Sequence, residues 1–490
     1  MSNDAAKLHR QGVALLTQGK FEAALDSFRQ SVASTPHPAT HYDIGNALIA
    51  LGRFAEAVES FDAALALRPG FSQALNNRAG ALEELGRYDE ALESYARAIA
   101  AVPNNAAAHY NRGNIFLKIL RQPQDAVACF DRAVSVDPKF VGAYINRGAA
   151  LQGVHRYAEA SASFDMALAL APLNPDAQWN KAWNELLLGD FKNGWLRYEW
   201  RWRTAEQKPW FRAFPRPLWL GDFDLADKTI FLHAEQGMGD VLQFCRYVPL
   251  VAAQARHVVL EVHPPLSALM TPLAANLTVI NRGDPLPPFD AHTPLLSLPL
   301  AFKTTLDTIP ARSTYLSADA AAIERWTGEL GAKRRPRIGL VWTGGALHKN
   351  DFNRSIGFSA MTPLLEIDAE FHCLQKELRP GEAAPLQTAT IKTHAFDLAT
   401  FADTAALATH MDLIVSVDTA VAHLAGALGK PVWILLPYDA DFRWLTERAD
   451  SPWYPTARLF RQSRAGDWAG VVADVAAAMR GFCHGSTTVM

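Results

Sequence analysis

The chain has 490 residues, too many for one ordinary domain, and an apolar content of 49% can fill more than one core. Its 47 basic and 50 acidic residues leave a net charge of −3, so no global field draws nucleic acid or an acidic membrane surface. The opening residues MSNDAAKLHR lack an apolar leader core and no run reaches bilayer-spanning length, so a cytoplasmic chain without membrane insertion is expected.

The first two hundred residues repeat. Segments 19–36, 52–69, 86–103, 122–138 and 155–172 share one pattern, from GKFEAALDSFRQSVASTP to HRYAEASASFDMALALAP. A sixth, more divergent unit begins near Asn174 and runs through GDFKNGWLRYEWRW. Ala57, Ala91, Ala126 and Ala160, with Gly45, Ala79 and Gly113 on the partner helices, are small enough for two helices to approach closely. Phe61, Tyr95, Phe130 and Phe164 fill the space between, and Pro69, Pro103, Pro138 and Pro172 stop each second helix. This pattern over residues 5–203 resembles the tetratricopeptide repeat family, which implies an α-solenoid of stacked helix pairs with a concave groove.

One polar position recurs in the first helix of each unit. It holds Asp43, Asn77, Asn111, Asn146 and Asn180. An amide both donates and accepts, so aligned asparagines can clamp a peptide backbone without reading its side chains. The array is similar to the asparagine ladder of O-GlcNAc transferases, which implies that Asn77, Asn111, Asn146 and Asn180 hold an acceptor protein. An ordinary solvated helix face is the other reading of the same residues. Trp195, Trp200, Trp202, Trp210 and Trp219 then crowd a Pro-rich junction, read as a layer that covers the last apolar face of the solenoid.

From Lys228 the pattern changes to short apolar runs alternating with helical stretches. TIFLHA (229–234), HVVLEV (257–262), LTVI (277–280) and LLSLP (295–299) are strand candidates. After KRRPR (333–337) a second set follows: IGLVW (338–342), FHCLQ (371–375), DLIVSV (412–417) and PVWILLP (431–437). Two such halves imply two Rossmann-like domains with parallel sheets. The expected limits are a solenoid over 1–203, a junction over 204–227, an N-terminal Rossmann-like domain over 228–330 and a C-terminal one over 331–490.

In DLIVSVDTAVAHLAGALGKPVWILLP a strand ends at Val417, and Asp418 and Thr419 lead a short helix carrying His423. A helix start with free N–H groups, a hydroxyl and an imidazole suits a diphosphate. The stretch SVDTAVAHLAGALGKPVW is similar to the D-[TS]-G-x-x-H motif of bacterial heptosyltransferases, which have a GT-B fold, with Ala420 in place of the usual Gly. The loop GMGDVLQFCRYVP (237–249) looks like the G-x-G-D segment of that family. With the solenoid, the chain resembles bacterial tetratricopeptide-repeat glycosyltransferases, some of which modify flagellin.

That resemblance implies an inverting transferase that moves a sugar from a nucleotide-sugar co-substrate, with no resident cofactor. Asp240 is then the general base on the acceptor hydroxyl, with Glu235 and His233 as substitutes. As plain sequence, Asp240 is a helix N-cap. Gly237 and Gly239 permit a tight turn and close backbone approach. Lys349 and Arg354, after the first strand of the second set, are candidate phosphate cations. Gln375 and Lys376 follow the next strand. The candidate donor-binding set is thus Gly237, Gly239, Lys349, Arg354, Gln375, Lys376, Asp418, Thr419 and His423. Asp439-Ala440-Asp441 has the form of a metal-binding D-x-D but is read as a loop, so no metal is expected. Arg443 and Trp444 either close the cleft or pack it. The acceptor is expected to be the Ser or Thr hydroxyl of a protein held by the solenoid, flagellin-like on the family resemblance. A surface polysaccharide or lipid-linked glycan is the alternative acceptor, and an adaptor with a decayed site the alternative to an enzyme.

Overall fold

A computed structural model describes residues 2–310, 312–346 and 349–486. Contacts divide the chain into two compact units, Met1–Asn180 and Lys181–Met490.

The first unit is a run of antiparallel helix pairs: Asn3–Thr17 with Phe21–Ser34, Pro38–Ala50 with Phe54–Leu67, and Ser72–Glu84 with Tyr88–Ala101. Ala106–Asn114 then pairs with Pro123–Val136, and Val141–Gly153 with Tyr157–Leu170. The small positions do what their size predicts. In four of the five pairs the first helix presses a bare backbone onto the aromatic ring of its partner, and Ala79 takes that place in the third; a Cβ at Gly113 would lie 2.7 Å from Phe130 Cε1. Gly12 and Gly148 occupy the same place against Phe28 and Phe164. These rings are fully buried, each contributing about 1.5–3 kcal/mol of transfer energy. Gly19, Gly52 and Gly86 turn the chain between the helices of a pair with φ of +72°. The fourth unit carries one extra residue between Asn111 and Ala126, and there the helix widens into a π-helical turn, Ile115–Ile119.

The second unit holds two parallel sheets. The first contains β1 (Thr229–His233), β2 (His257–Val262), β3 (Leu277–Asn281) and β4 (Ala291–Pro294), in the order β3-β2-β1-β4. The second contains β5 (Arg337–Val341), β6 (Glu370–Cys373), β7 (Ile391–Thr393), β8 (Leu413–Val417), β9 (Val432–Leu436) and β10 (Ala457–Arg461), in the order β10-β9-β8-β5-β6-β7. β5, β8 and β9 are buried on both faces, as their unbroken apolar runs require. The chain is an α-solenoid followed by an α/β region.

Three details differ from the sequence expectation. LLSLP is a 3-10 turn, Leu295–Ser297, leading into the helix Leu298–Ala301, and the strand is the preceding Ala291–Pro294. A short apolar run does not distinguish strand from helix by periodicity. β7 and β10 were not expected; one is three residues long and the other, ARLFR, is interrupted by two arginines. The stretch VLQFCRYVPLVAAQ that follows the G-M-G-D loop reads as one helix, but it is broken at Cys245–Tyr247, because Pro249 enters the next turn and removes a hydrogen bond.

Candidate active site

In an open parallel sheet, ligands bind beyond the carboxyl ends of the strands, where the strand order reverses. In the second sheet that point lies between β5 and β8. β5 runs out into Thr343, Gly344 and Gly345, and β8 into Asp418 and Thr419. A cavity of about 310 Å³ opens there, and Gln375, Lys376, Thr419 and Ala420 line it. Met238 and Pro265, which follow β1 and β2, line it from the other side. Thr419 occupies the N-cap position of the helix Ala420–Ala427 with extended backbone. Its hydroxyl bonds to Ser416 Oγ at 3.0 Å rather than capping the helix.

Asp418 and His423 stand side by side. His423 Nε2 is 3.8 Å from Asp418 Oδ1, and Nδ1 is 2.8 Å from the Tyr454 hydroxyl. Its ring stacks on Trp444 at 5.4 Å. Burial holds the His423 imidazole neutral, well below its ordinary range. Burial, and Asp441 nearby, push the Asp418 carboxyl up to about 6. Arg354 Nη1 donates to the Asp418 carbonyl at 3.0 Å. Its Nε has no hydrogen-bond partner among the described residues.

The loop after β1 meets this helix directly. Asp240 Oδ2 accepts from the Gly237 N–H at 2.8 Å, which closes the first turn of Met238–Phe244. Asp240 Oδ1 accepts from Arg443 Nη2. Gly239 faces the helix, and a Cβ there would lie 3.0 Å from His423 Cδ2 and 3.6 Å from Ala420 Cα. The G-M-G-D segment therefore lets the two sheets' loops touch, with Asp240 on the near side and Asp418, Thr419 and His423 on the far side.

The remaining candidates divide. Gln375 is a clamp as much as a lining residue: Oε1 accepts from Trp342 N at 2.6 Å and Thr343 N at 2.9 Å, and Nε2 donates to Thr343 Oγ1. Lys376 Nζ donates to the Ala399 carbonyl at 2.9 Å. Lys349 lies apart from the cavity, 83% exposed and paired with Glu206. Glu235 is buried and held by Arg201, whose Nη2 lies 3.0 Å from Oε2. His233 packs among Phe214, Phe231 and His292 with neither ring nitrogen bonded among the described residues. Asp441 accepts from Arg443 Nη1 at 2.8 Å, and no cluster of metal-ligating side chains occurs among the described residues. Sequence reasoning missed the pairing of Arg443 with Asp240, since 203 positions separate them and neither has a local signal for the other.

In the solenoid, the asparagines link to neighbouring repeats. Asn77 Nδ2 donates to Asn46 Oδ1 at 2.7 Å and to the Tyr42 hydroxyl at 3.1 Å. Asn146 repeats this with Asn114 at 2.7 Å and Tyr110 at 3.2 Å. Asn111 reaches Asn76 Oδ1 at 3.4 Å. Asn180 stands outside the chain of amides and donates to the Asp176 carbonyl of its own helix at 2.8 Å.

The comparisons with known proteins bear on both units. Residues 9–70, 42–106 and 78–139 match the tetratricopeptide repeat model. Residues 384–437, from before β7 to the end of β9, match the model of glycosyltransferase family 9 (heptosyltransferase). The chain thus joins a segment similar to glycosyltransferase family 9 to a run of tetratricopeptide repeats. The matched segment contains Asp418, Thr419 and His423. Protein FlbA of Caulobacter vibrioides is 26% identical over 388 residues, which cover 73% of this chain and 64% of the relative. The chain thus spans less than two thirds of that relative's length. Among solved structures, the Pseudomonas aeruginosa pilF protein is 18% identical, with a TM-score of 0.38 over 42% of this chain and 92% of its own. A tetratricopeptide repeat protein from Parabacteroides merdae is 21% identical, with a TM-score of 0.36 over 40% of this chain and 78% of its own. Among the described residues, no helix is long and apolar enough to cross a membrane.

Proposed function

We propose that this chain transfers a sugar from a nucleotide-sugar donor to a Ser or Thr hydroxyl of a protein, with inversion and without a metal. The observation that carries the reading is the contact of the Gly237–Asp240 loop with the start of the helix Ala420–Ala427, beside a cavity at the switch point of the second sheet. In this reading the domain over 331–490 holds the donor and that over 228–330 faces the acceptor. The junction over 204–227 links them to the solenoid over 1–203.

The nucleoside occupies the cavity beyond β5 and β6, with its phosphates toward Thr419 and the first N–H groups of the helix. Arg354 and the helix dipole offset the charge of the leaving diphosphate. Lys349, exposed and paired with Glu206, takes no part in this arrangement. Asp418 and His423 support the sugar. Asp240 takes the proton of the acceptor hydroxyl as that oxygen attacks the anomeric carbon and the carbon–oxygen bond to the phosphate breaks. The solenoid delivers the acceptor along Asn77, Asn111 and Asn146, with Asn180, bonded to its own helix, beyond the end of the amide chain. A flagellin-like acceptor rests on the family resemblance alone, and a cytoplasmic setting is part of the proposal.

The test is intact-protein mass spectrometry of candidate acceptors co-expressed with this chain and with its Asp240→Ala form. A discrete mass increment that the variant does not produce is expected. An unchanged protein mass with altered surface glycans would overturn the protein acceptor in favour of a polysaccharide or lipid-linked one.

A further inference from the structure

The third repeat departs from its neighbours at two positions. Tyr42 and Asn46 in the second repeat bond to Asn77, and Tyr110 and Asn114 in the fourth bond to Asn146. The equivalent residues of the third repeat are Asn76 and Gly80. A phenol ring and a carboxamide are thus missing. Where they would stand, a cavity of about 560 Å³ opens, lined by Asn46, Asn76, Asn77, Asn111, Phe54 and Glu84 among others.

The lining is rich in acceptors. Glu84 is its one ionisable residue, and no cation lines it. The oxygens of Asn46, Asn76 and Asn77 each accept one hydrogen bond within the ladder. A carbonyl oxygen has a second lone pair, so each can accept another donor. Phe54 and Ile49 supply an apolar wall for a methylene stem. The Glu84 carboxylate, the one charge in the lining, would repel an anion.

We propose that this cavity seats a lysine or arginine side chain of an extended acceptor segment and so sets the register in which the solenoid presents it. The proposal rests on the peptide-binding reading of the solenoid. The ammonium or guanidinium sits among the amide oxygens, with Glu84 as counter-charge.

The test uses the full chain and an array of short peptides in which one position is varied through all residue types. Asn76→Tyr with Gly80→Asn copies the neighbouring repeats into the third and fills the cavity, and thermal melting checks that it folds. Glu84→Gln removes the charge alone. The full chain should select Lys or Arg at one position. The double variant should lose that selection, and Glu84→Gln should weaken it about tenfold, the worth of one charge-assisted hydrogen bond. Selection of acidic or apolar residues, or a preference that survives in the folded double variant, would overturn the proposal alone. If no peptide bound to any form, the peptide-binding reading would fall with it.

Discussion

Arg443 donates to the Asp240 carboxylate and so ties the loop after β1 to the turn after β9. The same guanidinium donates from Nη1 to Asp441 and from Nε to Gln243 Oε1, each at 2.8 Å. Asp240 is therefore oriented on both oxygens, one by Arg443 and one by the Gly237 N–H. A base with a fixed direction is what an attack on one face of a sugar requires.

Asp240→Asn tests the base. Asn keeps an oxygen for the Gly237 N–H, so the turn should survive. Arg443 keeps Asp441, so the cost should stay below the roughly 3–5 kcal/mol of leaving a buried charge without any partner. Transfer should fall by about 10²–10⁴-fold. Nucleotide binding, which takes place on the other side of the contact, should change by no more than a few fold. Steady-state transfer, calorimetric titration with UDP, GDP, ADP and CMP, and a melting curve read the three quantities. Near-normal transfer by a folded variant would assign the proton to another group.

Gly239→Ala tests the contact between the two loops. The new methyl group would approach His423 Cδ2 to 3.0 Å, and His423 is held by Tyr454 and Trp444. The ring has no room to retreat, so the helix Ala420–Ala427 or the loop must shift. Overpacking of this kind costs about 1–3 kcal/mol. Nucleotide affinity should drop together with thermal stability. A variant with wild-type melting and binding would show that the loop is free of the helix in solution.

Gly344→Ala addresses Arg354. A Cβ at Gly344 would lie 2.7 Å from Arg354 Nη2 and 2.8 Å from its Nε. The guanidinium must swing away from the Asp418 carbonyl. Because Arg354 is a candidate counter-charge for the diphosphate, affinity for a nucleoside diphosphate should fall about tenfold, while that for the nucleoside alone stays unchanged. Calorimetry with UDP and uridine, or the pair that binds, measures the difference. Equal losses for both would place Arg354 away from the phosphates.

The repeats and the second half's alternation were legible because both are local patterns. A helix pair shows itself in the spacing of Ala57, Ala91, Ala126 and Ala160, and a buried parallel strand in a run such as LIVSV. The D-T-x-x-x-H segment was legible for the same reason: one strand end and one helix start hold all three residues. What sequence does not carry is the partner of a side chain. Gln375 looks like a ligand residue by position, yet three of its bonds brace Trp342 and Thr343. Asn180 keeps the repeat spacing, but the preceding first helix has Ile145 and Ala149 where the second and fourth repeats have Tyr and Asn, so its amide turns to its own backbone. Lys349 lies in a loop whose length gives no direction, and it points to Glu206.

Glu235 gives the last prediction, through pH. It shares the guanidinium of Arg201 with Glu199, so two carboxylates face one cation in a buried site. Burial, only partly offset by Arg201, raises the Glu235 carboxyl from 4.5 to about 7. The folded chain therefore holds this proton more tightly than the unfolded chain. The stability it contributes is fully present below about pH 4.5 and is lost as pH rises toward 7. Across that window the loss amounts to as much as about 3 kcal/mol. Glu235→Gln cannot titrate, and Arg201 keeps Glu199. Its stability should fall less between about pH 4.5 and about pH 7 than that of the parent chain. Denaturant midpoints measured across that range give the two slopes. Parallel slopes would mean that Glu235 is already ionised in the folded chain, with Arg201 outweighing burial.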